Sequence, residues 1–245
     1  MVTGAASGIG EAVARRLVDA GYRVHGLDRH DADGAPPANL ADPATARHLA
    51  WHRGDVRDAD FIRKAAAAAA RDGDVEVLCA AAGVKRNTPL HETTEDVWDE
   101  MHDINLKGTF LAIQACLPQM LANGRGAIVA IGSPSGYADP ASPAYASTKA
   151  ALLGLSASVA LDTAGTGVRM NVVVPAFTRT GMTAAVPDEI VGERGRTTAS
   201  GRVNEPDDVA ALVAFLVSDD ARNISGAVID IGKPHGVPAT RGATS

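Results

Sequence analysis

The chain has 245 residues, a length that suits one large α/β domain. Hydrophobic residues make up 46% of it but aromatics only 4%, so the core has to be built from Ala, Val, Leu and Ile. With 23 basic against 29 acidic side chains the formal charge is −6, which favours solubility and argues against a nucleic-acid partner.

From the N-terminus, Thr3-Gly4-Ala5-Ala6-Ser7-Gly8-Ile9-Gly10 is a glycine-rich turn. A helical pattern follows it, with Ala12, Val13, Leu17 and Ala20 facing inward. Glycines permit a tight turn and close backbone approach, and the free N–H groups at the helix start attract a pyrophosphate. A strand over Arg23–Leu27 then ends in Asp28. An acid about twenty residues after such a turn commonly holds the ribose hydroxyls of NAD. Gly34-Ala-Pro-Pro37 breaks the next region and is expected to shorten or displace the helix there.

Further strands are expected at Ala50–Arg53, Val75–Ala80, Ala127–Ile131, Val168–Val173 and Ala227–Ile231. Helices are expected to begin near Gly8, Ala59, Thr94, Ala144 and Pro206. Ala65–Ala70 is low in complexity but strongly helix-forming, so it is no linker. Glu205-Pro206-Asp207-Asp208 puts proline and acids where a helix start favours them. Alternating strand and helix predict a parallel sheet covered on both faces, with no repeat and no domain boundary across residues 1–245. The tail after Gly232 lacks periodicity and is expected on the surface.

Chemistry concentrates at Tyr145 and Lys149. Four residues apart on a helix, they share one face. A phenol is a poor acid at neutral pH, with a reference pKa of about 10, and a neighbouring ammonium is expected to pull it toward the working range. Such a tyrosine can give a proton to, or take one from, a substrate oxygen. With a hydride carrier at the glycine turn, that is alcohol–carbonyl chemistry.

Taken together, the Thr-Gly-x-x-x-Gly-x-Gly turn, Asp55-Val56, Asn105 before Leu-Lys-Gly-Thr, Ser133, Tyr145-x-x-x-Lys149, and Pro175 followed by Thr180 resemble the classical short-chain dehydrogenases/reductases over nearly the whole chain. The resemblance implies a doubly wound Rossmann-type fold around a mostly parallel seven-stranded sheet. It implies a catalytic tetrad of Asn105, Ser133, Tyr145 and Lys149. Tyr145 would be the general acid or base, and Lys149 would lower its pKa and bind the nicotinamide ribose. Ser133 would donate to the substrate oxygen, and Asn105 would hold a relay water. Cofactor contacts are implied at Gly4, Ser7, Gly8, Ile9, Gly10, Asp28, Asp55, Val56, Ala82, Gly83, Tyr145, Lys149, Pro175, Thr178 and Thr180. Asp28 repels a 2′-phosphate and Ser7 is neutral, which favours NAD over NADP, while Arg29 is counter-evidence.

This chain departs from the family pattern in places. Ala80-Ala81-Ala82-Gly83 stands for the commoner Asn-Asn-Ala-Gly, Pro175-Ala176 for Pro-Gly, and Gly232-Lys233 for Gly-Gly. The fold's first strand is central, yet only Met1 and Val2 precede the turn. Either that strand is short, with reduced stability, or the natural start lies upstream. The stretch from Gly181 to Ser200 is expected to be a short lid. Arg194, Arg196, Lys85 and Arg86 read as solvated charges, with an anion site as the sharper alternative. Tyr137 and Met182 are candidate pocket residues, and His235 reads as solvent-exposed.

The expected reaction is hydride transfer between NAD(H) and a secondary alcohol/ketone pair, on a small-molecule substrate. A small cyclic or sugar-like alcohol, a hydroxyacyl thioester, a steroid-like ring and a polyketide all remain open. A non-catalytic NAD-binding regulatory or interaction protein is the alternative. An epimerase or dehydratase is a third reading, for which the chain has no room for a further substrate-binding region. No metal site is indicated. No apolar run approaches the roughly 20 residues needed to span a bilayer, and no secretory signal is visible. Cys79 and Cys116 read as buried, reduced thiols, consistent with a cytoplasmic protein. Small and apolar residues on several faces of the helices from Thr94 to Leu121 and from Ala144 to Ala164 point to a homo-oligomer, a dimer or tetramer.

Overall fold

The structure, a computed structural model, describes residues 1–29, 40–41, 43–139 and 141–232. The Gly34–Pro37 break, Lys233, His235 and the rest of the tail lie outside these residues. In chain order the elements are β1 (Val2–Thr3), α1 (Gly8–Asp19), β2 (Val24–Asp28), α2 (Pro43–Ala46) and β3 (Leu49–Arg53). They continue with α3 (Ala59–Asp72), β4 (Val77–Ala80), α4 (Glu95–His102), α5 (Gly108–Asn123) and β5 (Gly126–Ile131). The last are α6 (Pro143–Asp162), β6 (Val168–Pro175), α7 (Asp188–Arg196), α8 (Pro206–Val217) and β7 (Val228–Ile231).

The strands form one seven-stranded sheet in the order β3-β2-β1-β4-β5-β6-β7, and every pairing is parallel. Alternation along the strands divides the core in two. Val77, Cys79, Val129, Ile131 and Val173 face α1 and α8, against Val13, Leu17, Val213 and Leu216. Leu78, Ile128, Ala130, Met170 and Val172 face the other way, against Ile62 of α3 and Ile113, Cys116 and Met120 of α5. Small side chains dominate both layers, as the low aromatic content requires.

The helix starts follow from local chemistry. Asp58 caps α3 by accepting from the amides of Asp60 and Phe61 at 2.9 and 3.1 Å. At α8, Pro206 opens the first turn and the Glu205 amide donates to Asp208 Oδ2 at 2.8 Å. Thr94 is a cap rather than a helical residue, accepting from the Val97 amide. The expected single helix from Thr94 to Leu121 is two helices joined by a π-helical turn at Asp103–Lys107.

β1 pairs with β2 on one side and β4 on the other. Met1 extends that pairing. Its carbonyl accepts from the Cys79 amide at 2.9 Å and its amine donates to Val77 O at 2.7 Å. Strand order reverses between β1 and β4, so the loops leaving these two strands part in opposite directions. The crevice this opens at the carboxyl ends of parallel strands is the usual place for a ligand in such a sheet.

Candidate active site

Most of the cofactor and catalytic residues expected from the sequence follow the carboxyl end of a strand or lie on α6, while Asn105 sits in the π-helical turn between α4 and α5. The turn after β1 is shaped by contact. A Cβ on Gly10 would stand 2.1 Å from Gly4 O, and Gly4 itself has φ +70. Ser7 is extended at the start of α1 and makes no side-chain cap hydrogen bond. The first-turn amides of Gly8, Ile9 and Gly10 are therefore left without a capping side chain, in an arrangement that suits an anion. Asp28, at the end of β2, accepts from the Ala6 amide at 3.0 Å, which holds its carboxylate at the mouth of the turn.

After β3, the Asp55 carboxylate grips Arg57, with Nη2–Oδ2 at 2.6 Å. That hydrogen bond, aided by the Arg29 charge, holds Asp55 below the usual carboxylate range. Val56 is buried and packs where a Cβ on Gly108 would stand. After β4, the Ala82 amide donates to Thr3 Oγ1 at 3.2 Å, a brace between β1 and β4 supplied from Thr3 in a segment whose side chains are only methyls. Gly83 sits between two tetrad side chains. A Cβ there would be 3.3 Å from Asn105 Oδ1 and 3.7 Å from Lys149 Nζ.

β6 ends in the buried Pro175, and the two threonines beyond it differ in placement. Thr178 is buried and its hydroxyl donates to Ala176 O at 2.9 Å, a turn contact. Thr180 Cγ2 lies 3.1 Å from the place of a Gly8 Cβ, so this side chain borders the glycine turn.

The tetrad residues converge beside that crevice. Lys149 is 6% exposed and donates from Nζ to Ile131 O at 2.7 Å. Burial lowers its pKa from 10.5 to about 8. Tyr145, 8% exposed, has its ring centroid 5.7 Å from Lys149 Nζ. Burial pushes the Tyr145 phenol up and the Asp139 charge adds to that, while the Ser133 hydroxyl draws it back. The shift is therefore upward, set by desolvation, where the spacing of Tyr145 and Lys149 led to the expectation of a downward one. Ser133, two residues beyond β5, is in extended backbone and accepts from the Ser135 amide at 3.2 Å.

Asn105 is fully buried in the π-helical turn, a feature often found at functional sites. Its Oδ1 accepts from the Val84 amide at 2.8 Å, and its Nδ2 donates to Val84 O at 2.9 Å and Thr148 Oγ1 at 3.2 Å. The side chain thus ties the loop after β4 to α6.

Comparison with known proteins bears on this arrangement. The family model described as enoyl-(acyl carrier protein) reductase matches residues 4–233. The chain belongs to the classical short-chain dehydrogenase/reductase family. It is 36% identical over 244 residues to the human (3R)-3-hydroxyacyl-CoA dehydrogenase, covering 94% of this chain and 92% of that protein. It is also 36% identical to the cis-4-hydroxycyclohexanecarboxylate dehydrogenase of Sinomonas cyclohexanicum, covering 94% and 93%. Its structure aligns with the ligand-free aldohexose dehydrogenase of Thermoplasma acidophilum at a TM-score of 0.82 and 28% identity, covering 94% and 90%. As a short-chain dehydrogenase/reductase it is an oxidoreductase of hydroxyl and keto substrates.

Around the tetrad of this dehydrogenase/reductase lie groups that no local pattern announced. Lys85, in the loop after β4, donates to Asp139 Oδ2 at 2.7 Å and has its Nζ 5.1 Å from the Tyr145 ring centroid. Ser135 Oγ donates to the same Asp139 oxygen at 2.7 Å. Lys85 and Asp139 are 54 residues apart, so only the tertiary fold joins them. Two of the other cations considered for an anionic substrate are engaged elsewhere. Arg86 pairs with Glu100, and Arg194 stacks on Phe177 at 4.9 Å. Tyr137 is half-buried against the α5–α6 layer and Met182 is exposed. Both thiols are buried, which pushes Cys79 up to about 12 and Cys116 up to about 11. Among the described residues no group of three metal-ligating side chains occurs, and no helix is long and apolar enough to cross a membrane.

Proposed function

We propose that the protein interconverts a secondary alcohol and its ketone using NAD(H), with Tyr145 as general acid and base. The observation that carries this reading is the buried Tyr145 phenol flanked by the desolvated Lys149, whose Nζ lies 3.7 Å from the place of a Cβ on Gly83 after β4. The uncapped first turn of α1 fits a pyrophosphate, and the Asp28 carboxylate fits the paired hydroxyls of a ribose. Asp28 also disfavours a 2′-phosphate, which brings about two negative charges, and this supports NAD over NADP. Bound NAD(H) would supply the hydride.

The chain's own residues handle the oxygen and its proton. Ser133 is in position to donate to the substrate oxygen as charge develops on it. Tyr145, kept protonated at neutral pH by burial, gives its proton to a ketone oxygen in reduction and takes one from the alcohol in oxidation. Lys149 is held by Ile131 O beside Gly83, and would meet the nicotinamide ribose of a bound cofactor.

The test is nicotinamide absorbance with NAD and with NADP over a panel of secondary alcohols, with Tyr145→Phe as control. Turnover with NAD that the variant loses, while cofactor affinity stays, supports the enzyme. Cofactor binding without turnover on any alcohol would leave the regulator reading instead. Trp98 and Phe110 on α4–α5 and Leu161 on α6 are exposed, which supports a homo-oligomer built on these helices. Light scattering that finds a monomer at micromolar concentration would end that part of the proposal. Two unpaired thiols, Cys79 and Cys116, suit a reducing, cytoplasmic setting.

A further inference from the structure

We propose that Lys85, Asp139 and Ser135 form a recognition wall for a second hydroxyl on the substrate, beside the carbon that reacts, so that the preferred substrate is a neutral polyhydroxylated alcohol. This rests on the alcohol–ketone reading of the Tyr145 site and narrows its substrate class.

Two ammonium groups flank the same tyrosine, and they differ in environment. Lys149 is buried and occupied by Ile131 O. The Lys85 side chain is 27% exposed and lies 5.1 Å from the ring centroid, the nearer of the two. Asp139, only 13% exposed at its side chain, is held from three directions. Lys85 Nζ and Ser135 Oγ both donate to Oδ2 at 2.7 Å, and the Ala141 amide donates to Oδ1 at 3.0 Å. These hydrogen bonds overcome burial and keep Asp139 ionised, below its ordinary value. The Ser135 amide donates to Ser133 Oγ at 3.2 Å, so the cluster continues to Ser133, and Lys85 Nζ itself lies over the Tyr145 ring. A polar wall therefore runs from beside the reacting group to the ion pair.

The charge state of the wall selects the ligand. Lys85 and Asp139 cancel, so a substrate carboxylate gains no net attraction and meets the Asp139 charge at close range. A hydrocarbon ring or acyl chain would strip water from the pair and return no hydrogen bond, which is unfavourable for buried charge. A hydroxyl both donates and accepts. An ammonium carries three donors and Asp139 takes one of Lys85's, leaving donors beside a carboxylate acceptor. That pairing matches one or two hydroxyls adjacent to the reacting carbinol. Other places in the molecule offer less. A hollow of about 370 Å³ at the opposite ends of β5 and β6 contains Arg125 and Arg169. The first is tied to Asp219 and the second to the carbonyls of Leu216 and Ile224.

The experiment compares kcat/KM with NAD for a set of secondary alcohols that differ only in neighbouring groups: a plain cyclic alcohol, the vicinal diol, a cyclic polyol and a hydroxy acid. The proteins are the wild type, Lys85→Met, Asp139→Asn and Tyr145→Phe. Wild-type preference for diol or polyol over the plain alcohol should fall about 10- to 100-fold in Lys85→Met, the usual consequence of losing a charge-assisted hydrogen bond. Asp139→Asn should lose the same preference and turn the selectivity toward the hydroxy acid, since Lys85 then stands uncompensated. Turnover that depends on Tyr145 but shows the same diol-to-alcohol ratio in all three Tyr145-containing proteins would overturn the wall and leave the enzyme reading intact. A wild-type preference for the plain alcohol would do the same. Absence of turnover on every member, in protein that binds NADH, would overturn both. Melting curves of the variants separate loss of selectivity from loss of fold.

Discussion

Lys149→Met tests the central electrostatic feature of the site without any substrate. Burial takes the Lys149 pKa from 10.5 to about 8, which corresponds to about 3 kcal/mol against the ammonium in the fold. The variant relieves that cost and leaves Ile131 O without its 2.7 Å donor, a loss of about 1–3 kcal/mol. The two nearly offset, so stability near neutral pH should change by less than about 2 kcal/mol. The pH dependence is sharper. An unfolded lysine keeps its proton up to 10.5 and the folded one loses it near 8, so in that window the unfolded chain binds more protons. The cost is present in full below about pH 8 and is relieved as pH rises. Wild type should gain about 2 kcal/mol over Lys149→Met between neutral pH and about pH 9.5. In a chain of this size that is about 4–8 °C in Tm. Cys79 and Cys116, raised by burial, act in the opposite sense as pH climbs, but equally in both proteins. Calorimetry or urea titration at the two pH values gives the difference directly. Parallel stability–pH curves for the two proteins would refute a charged, desolvated Lys149.

Asp28→Ser should raise the kcat/KM ratio of NADP over NAD at least about 10-fold, because it removes the charge set against a 2′-phosphate; an unchanged ratio in coupled assays would shift the selectivity elsewhere. Asn105→Ala strips the Val84 amide, Val84 O and the Thr148 hydroxyl of a buried partner, and should cost about 2–4 kcal/mol. A urea midpoint within error of wild type would contradict that tie. The Tyr145 phenol, raised by burial and by Asp139 against the pull of Ser133, is protonated at neutral pH. Lys149 and Lys85 face it as well. Oxidation should therefore accelerate as pH rises and reduction should slow, with the oxidative profile of Asp139→Asn moved to lower pH. Profiles of kcat/KM in both directions check the sign.

Much of this protein was legible from residues close together in the chain. The glycine turn is one such case: Gly10 must lack a Cβ because Gly4 O is its neighbour, a contact closed within a few residues. Strand alternation, the Asp58 and Glu205–Pro206 helix starts, and the shared face of Tyr145 and Lys149 are local in the same way. Strand ends drew Asp28, Asp55 and Ser133 to one crevice because parallel strands all point their carboxyl ends the same way. The tertiary structure alone decided what those residues meet. It broke the helix after Thr94 with a π-helical turn at Asn105 and spent that side chain on Val84. It pushed the Tyr145 phenol up where spacing alone suggested down, because desolvation depends on how much chain packs overhead. It brought Lys85 to Asp139 across 54 residues, a partnership set by sheet register and loop paths. Periodicity and backbone sterics are properties of neighbouring residues and can be read in sequence; burial and side-chain pairing are properties of the packed whole.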